Sequence, residues 1–171
     1  MAKVFLIGMM GVGKSHWCKK WANKLKTGHY DLDSLIEIYE EATIPEIFAE
    51  KGEAYFRKKE TEVLKWFGEK KSFVLATGGG TACFGKNMQW MNTNGITIWL
   101  DEPLDILVGR LKLQKEHRPL IKNLSNEELR SFLENKLEER KPFYSQSQYR
   151  LFGDEISNKS FEMLINAGHS R

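Results

Sequence analysis

The chain of 171 residues contains only two cysteines, Cys18 and Cys83, and neither stands in a CxxC or other metal-ligand spacing. That excludes a disulfide-stapled scaffold and a cysteine-rich zinc site, and nothing here requires an oxidising compartment. No apolar stretch approaches the roughly 20 residues that a membrane-spanning helix needs. Val4 to Val12 comes nearest to a secretory leader, but no small-residue cleavage site follows it and Lys14 interrupts at once. Charge of one sign is scarce too: 26 Lys and Arg stand against 23 Asp and Glu, a net charge of +3. Such a balance gives no ground for a nucleic-acid or anionic-membrane partner, while acidic ligands are not repelled. Repeats, low-complexity tracts and linkers are absent as well. The expectation is a cytoplasmic protein folding as one domain over residues 1–171, long enough to bury a core without staples.

What is present reads as strands alternating with helices. Val4–Ile7, Phe73–Ala76 and Ile96–Leu100 are short apolar runs rich in β-formers and bounded by Gly, Asn or Asp, the pattern of strands buried on both faces. A weaker strand is expected at Tyr149–Phe152 and a short one around His29–Tyr30. Trp17, Trp21 and Leu25 fall at helical spacing and predict a helix over Lys14–Leu25. Thr43-Ile44-Pro45-Glu46 reads as a capping box opening a short helix through Ile47 and Phe48, followed by another over Phe56–Phe67. Pro103 opens a helix through Leu104, Leu107 and Leu111. Ser125 caps one whose face carries Leu129, Phe132, Leu133 and Leu137, and a last helix runs from about Ser157 to Asn166. Alternation of this kind implies βαβ units, a parallel sheet and an α/β fold.

Gly8-Met9-Met10-Gly11-Val12-Gly13-Lys14-Ser15 fits G-x-x-x-x-G-K-[ST] at every fixed position, with a buried strand before it and a helix after it. Glycines let the chain curl so that consecutive N–H groups point at phosphate oxygens, and the new helix adds its positive end. Lys14 can reach the β- and γ-phosphates and the Ser15 hydroxyl can ligate Mg²⁺. At ordinary glycine usage a chance match in a chain of this length is about a 1% event. The stretch is therefore read as a nucleoside-triphosphate site, with Gly11, Val12, Gly13, Lys14, Ser15 and His16 as its loop residues.

Other stretches bear on the acceptor. Asp31 and Asp33 follow the short second strand: one carboxylate can organise Mg²⁺ and its waters, the other can take a hydroxyl proton, unless Asp33 is simply a helix N-cap. Arg57 can grip a small carboxylate bidentately or can belong to a solvated helix face with an i,i+3 ion pair. Gly78-Gly79-Gly80 ends a buried strand, where α/β proteins bind ligands and bare backbone allows close approach, or else is a plain connector. Arg140 offers a second cation near a helix end, or a partner for the helix dipole.

Taken together and in order, "GMMGVGKS", "DLD", "IPEIFAEKGEAYFRKKE", "ATGGGT", "RPLI" and "ERKPFY" resemble the shikimate kinase family over residues 3 to about 144. The resemblance implies a three-layer α/β/α P-loop kinase fold with a five-stranded parallel sheet, order 2-3-1-4-5, and a mobile lid. It implies transfer of the ATP γ-phosphoryl group to the 3-hydroxyl of shikimate, with Mg²⁺, by a monomer. By position, Asp33 would bind the shikimate hydroxyls and act as base or orienter, and Asp31 would help hold the metal through water. Arg57 and Arg140 would clamp the shikimate carboxylate, while Gly79 and Gly80 bring backbone to the ligand. Arg118, on a lid at about 112–124, would close on the phosphates, and Arg110 would sit near the adenine. The substrate-binding segment would span about 33–60. A different small-molecule kinase, or a nucleotide-binding module without turnover, is the alternative.

The chain departs from the family's pattern in two places. Glu41 stands where glycine is common, and residues 148–155 lack the usual strand end of the adenine pocket, so no adenine contact is assigned there. Asp101, at the end of a Walker-B-like strand, is read as a cap before Pro103 rather than a metal partner. His16, His29, His117 and His169 show no ligand spacing, and the tryptophans and the Met9-Met10 pair read as packing.

Overall fold

A computed structural model describes residues 1–168, so His169 lies outside the described residues. Five strands form one parallel sheet: β1 Lys3–Ile7, β2 His29–Asp31, β3 Phe73–Ala76, β4 Ile96–Asp101 and β5 Tyr149–Phe152, in the order β2-β3-β1-β4-β5. The three central strands are those with predominantly apolar sequences, because helices cover both of their faces. β2 and β5 lie at the edges, and their sequences are correspondingly mixed.

Among the described residues seven α-helices flank the sheet: α1 Lys14–Leu25, α2 Leu32–Glu40, α3 Ile44–Trp66, α4 Asn87–Asn94, α5 Leu104–Lys112, α6 Asn126–Tyr144 and α7 Asn158–Gly168. Trp21 of α1 stacks on Phe161 of α7 with ring centroids 4.4 Å apart, joining the two ends of the chain in the core. The boxes at Thr43–Glu46 and Ser125–Glu128 both form: each hydroxyl accepts from the third backbone N–H, and each glutamate accepts from the cap's own N–H.

The helices expected around Ile47 and over Phe56–Phe67 both form; they make up α3 and are separated at Gly52, whose φ of 83° no other residue type adopts readily. The structure departs from the sequence expectations at three points. Two helices were not assigned from the sequence, although one starting after an Asp33 N-cap stood as an alternative; the cap is Asp31. α2 starts at the Asp31 cap, within the stretch read for its carboxylates; α4 is rich in Asn and is held by buried Met88 and Met91 rather than by propensity. Glu41 ends α2 in the left-handed region at φ 52°, which is the physical reason a glycine suits that position. Asp101 does not cap α5, whose N-cap is Pro103. Its Oδ2 instead accepts from Nε and Nη2 of Arg150, at 2.9 and 2.5 Å, tying β4 to the edge strand β5.

Candidate active site

The loop after β1, the loop after β3 and the start of α2 open together at the carboxyl ends of the strands. They line a cleft of about 600 Å³, which Arg110, Gln114 and Arg118 complete. Gly8 and Gly13 have φ values of 143° and 98°, and a Cβ on Gly8 would lie 2.4 Å from the Leu100 carbonyl oxygen. The loop therefore takes its curl only with glycine at those positions, and α1 begins directly on Gly13, its amino end turned to the cleft. The Lys14 ammonium donates to the carbonyl oxygens of Gly8 and Met9 at 2.7 and 2.9 Å. Burial lowers its pKa to about 8, opposed by Asp33 and reinforced by Arg140 and Arg118. Incoming phosphate oxygens would replace the two carbonyl partners and restore the full charge.

Asp31 and Asp33 are separated in task by the way α2 starts. Asp31 is the N-cap: Oδ1 accepts from the Ser34 N–H at 3.1 Å, and Oδ2 accepts from the Ser15 hydroxyl at 2.8 Å. Asp33 sits in the first turn and faces Gly78, where an added Cβ would come within 2.8 Å of Oδ1. Its pKa is raised from 3.8 to about 6, mainly by burial and then by the charges of Asp31 and Glu60, with Lys14 pulling it down. A carboxylate that titrates near neutrality inside a cleft is poised to take a proton at working pH.

Arg57 from α3 and Arg140 from α6 lie 83 positions apart and converge on the triple glycine. A Cβ on Gly79 would be 2.6 Å from Arg140 Nη1, and one on Gly80 would be 2.7 Å from Arg57 Nη2. The two guanidinium groups thus share one surface of bare backbone beside Asp33. Arg118 is held by Gln114 Oε1, at 3.2 Å from Nε and 3.0 Å from Nη2, and faces the same cleft. Arg110 donates through Nη1 to the carbonyls of Gly11 and Val12 at 3.1 and 3.3 Å and pairs through Nη2 with Glu102, bracing α5 against the phosphate loop. His16 and Trp17 line the cleft edge to face, 5.3 Å between centroids.

Three residues of this region were not anticipated. Glu60 is the other half of the i,i+3 pair with Arg57, but it is 1% exposed; Oε1 accepts from Arg57 Nη1 at 2.9 Å and Oε2 from the Thr81 hydroxyl at 2.7 Å. Tyr144 is buried at the end of α6 and donates its hydroxyl to the Gly79 carbonyl oxygen, fixing the glycine segment. Met9, read as packing, is buried, and its sulfur faces both the Tyr144 hydroxyl and Arg140 Nη1. A Glu three residues from Arg57 was the one available signal; helical spacing alone does not tell a solvated pair from a buried one.

Mg²⁺ fits this donor set. Among the described residues no cluster of three His, Cys, Asp or Glu side chains forms a protein cage. Mg²⁺ does not need one: it keeps several waters and binds through one or two protein oxygens together with phosphate. Ser15 Oγ and Asp31 Oδ2, already adjacent at 2.8 Å, are such a pair beside the phosphate loop.

A phosphate loop running from β1 into α1, at the carboxyl ends of a parallel 2-3-1-4-5 sheet, defines the P-loop kinase fold. The family model for shikimate kinase matches residues 10–167. A shikimate kinase of Bacteroides thetaiotaomicron is 40% identical over 93% of this chain and 91% of its own length. One of Aquifex aeolicus is 38% identical over 89% and 87%. Among solved structures, a B. thetaiotaomicron shikimate kinase superposes with a TM-score of 0.87 at 37% identity, covering 99% of this chain and 97% of that one. An Acinetobacter baumannii shikimate kinase in complex with shikimate gives 0.85 at 30% identity, covering 98% and 94%. The chain belongs to the shikimate kinase family.

Proposed function

We propose that this chain is a shikimate kinase, moving the γ-phosphoryl group of ATP to the 3-hydroxyl of shikimate and releasing ADP and shikimate 3-phosphate. The observation that carries the reading is the convergence of Arg57 and Arg140 on Gly79-Gly80, next to Gly78 with its neighbour Asp33, with Gly79 and Asp33 lining the same cleft as the phosphate loop. A ring bearing one carboxylate and three hydroxyls matches that set: two guanidinium groups for the acid, bare backbone against the ring, one carboxylate for hydroxyls.

In this reading Asp33 orients the 3-hydroxyl and accepts its proton as the oxygen bonds to the γ-phosphorus. The bond from that phosphorus to the β-bridging oxygen breaks, and ADP leaves with the electron pair. Lys14, Arg118 and the loop amides carry the charge on the phosphoryl oxygens, and His16 lies beside them at the start of α1. When bound at Ser15 and Asp31, Mg²⁺ supplies charge neutralisation between the phosphates. Arg110 braces the loop on the nucleotide side. Residues 112–124 serve as a lid, and their exposed Leu113 and Leu120 would gain cover on closure, which excludes water from the transfer. In this reading the chain acts as a monomer in the cytoplasm on a small molecule, without a nucleic-acid or membrane partner. Within the described residues no helix is long and apolar enough to cross a membrane.

The test is ADP release by the purified chain with Mg²⁺ and ATP. It should rise at least tenfold over the ATP-only rate when shikimate is added. No rise with shikimate, or an equal rise with gluconate or a nucleoside monophosphate, overturns the assignment.

A further inference from the structure

Arg57 is held by more than its ion pair. Its guanidinium carbon lies 4.0 Å from the centroid of the Phe84 ring and 5.1 Å from that of Phe56. Nη1 is engaged by Glu60, whereas Nε is buried with no hydrogen-bond partner, the Glu53 carboxylate standing 3.5 Å away. Phe56 is 3% exposed and belongs to the core; Phe84 is 36% exposed and lies outside it. A phenyl ring on the surface, close-packed on a half-buried cation, is not placed there by core packing.

The backbone beneath Phe84 is tied to the same residues. Phe84 follows the 3₁₀ turn Thr81–Cys83. The Thr81 hydroxyl donates to Glu60 Oε2, and the Thr81 carbonyl accepts from Asn87 Nδ2 at 3.0 Å. Asn87 Oδ1 in turn accepts from the Thr61 hydroxyl at 3.0 Å, returning to α3. The contacts therefore close a ring: Arg57 to Glu60, Glu60 to Thr81, Thr81 along the turn to Phe84, and Phe84 back to the face of Arg57. Glu60 fixes the guanidinium in its plane and Phe84 fixes the plane itself.

We propose that Phe84 is a positioning residue for Arg57, setting the guanidinium plane and excluding water from one face so that its remaining N–H edge meets a planar carboxylate in bidentate register. The proposal rests on the reading of Arg57 as a contact to the acceptor's carboxylate. A guanidinium on an aromatic face corresponds to about 2- to 30-fold in affinity, from exposed to desolvated settings. A half-exposed ring belongs in the lower part of that range.

The experiment uses the full chain, with Phe84→Leu and Phe84→Tyr made alone and in combination with Arg57→Ala. Phe84→Leu should raise the KM for shikimate roughly 3- to 10-fold, with kcat and the KM for ATP within about twofold. Phe84→Tyr, which keeps the ring face, should stay near wild type. In the Arg57→Ala background, Phe84→Leu should leave kcat/KM for shikimate unchanged. The proposal is overturned if Leu serves as well as Phe, if Tyr is as impaired as Leu, or if the loss persists without Arg57. Melting temperatures of the same proteins read the contact independently of turnover: they should be non-additive for the pair, and additivity overturns it. Coupled melting temperatures together with a wild type inert toward shikimate would overturn the proposed function and leave the Phe84–Arg57 pair standing.

Discussion

Asp33 and Lys14 hold charges that the fold makes costly, in opposite directions. Native Asp33 keeps its proton up to about pH 6, whereas the unfolded chain releases it near 3.8. The native state thus binds more protons between those values, and its stability falls as pH rises through that window. Lys14 behaves as the mirror image: between about 8 and 10.5 the unfolded chain holds a proton the native state has lost, so stability rises with pH there. Near neutrality both residues are charged against their surroundings, which is the condition a proton acceptor beside a phosphate-binding cation requires. Asp33→Asn should therefore separate activity from stability. Turnover with shikimate should fall about 10²- to 10⁴-fold, the usual worth of a positioned base. Denaturant unfolding should show a gain of roughly 1–2 kcal/mol at pH 7, discounted for the open cleft, that vanishes by pH 4. Near-native turnover, or a gain that persists at pH 4, would refute this account of Asp33. In the wild type, kcat/KM should rise through pH about 6 and fall above about 8, while the basic limb of kcat should lie higher because bound phosphate stabilises charged Lys14.

At the scale of the element, the triple glycine after β3 shows how a strand end presents bare backbone to converging side chains. The side chains that crowd it come from α2, α3 and α6, and they approach the backbone within the volume a methyl group would need. At Gly79 the obstructing atom is the tip of Arg140, which can swing away, so Gly79→Ala should fold with a melting temperature within a few degrees of wild type. The displaced guanidinium should then weaken shikimate by about tenfold or more, roughly 1.4 kcal/mol, with the KM for ATP within twofold. An unchanged shikimate KM would place the acceptor elsewhere. This element was legible in the sequence because three consecutive glycines at the end of an apolar run are hard to misread. α4 was not: "NMQWMNTN" has poor helix propensity, and tertiary contacts hold it, through buried Met88 and Met91, Trp90 against Phe5 and the hydrogen bonds of Asn87. The placement of Glu60 and Phe84 was hidden for a related reason. Burial of the first, and the nearness of the second to a residue 27 positions earlier, exist only once α3 lies across the 3₁₀ turn. The two helical patterns of α3 were legible separately, and Gly52, in the left-handed region at φ 83°, is the residue that parts them.

For the whole molecule, the strand order was legible only through resemblance; apolar runs named the central strands but gave no order among them. The order matters because it sets β1 between β3 and β4 and so puts the phosphate loop beside the glycine segment. Nucleotide and metal then bind a surface assembled by the folded chain alone, and binding is linked to global stability. With MgADP at about 100 times its dissociation constant, the native state should gain about 2.7 kcal/mol. For a chain of this size that raises the melting temperature by roughly 5–10 °C. Ser15 and Asp31 are the metal's protein oxygens in this reading, already bonded to each other across the start of α1 and the cap of α2. Chelating the metal with EDTA at the same ADP concentration should therefore remove most of the shift in the wild type. Ser15→Ala, which deletes one oxygen and frees Asp31 from its partner, should show the same small shift with and without Mg²⁺. A Ser15→Ala protein that kept the full metal-dependent shift would mean that the cation is held through other oxygens, and the pairing of Ser15 with Asp31 would serve only to dock α1 on α2.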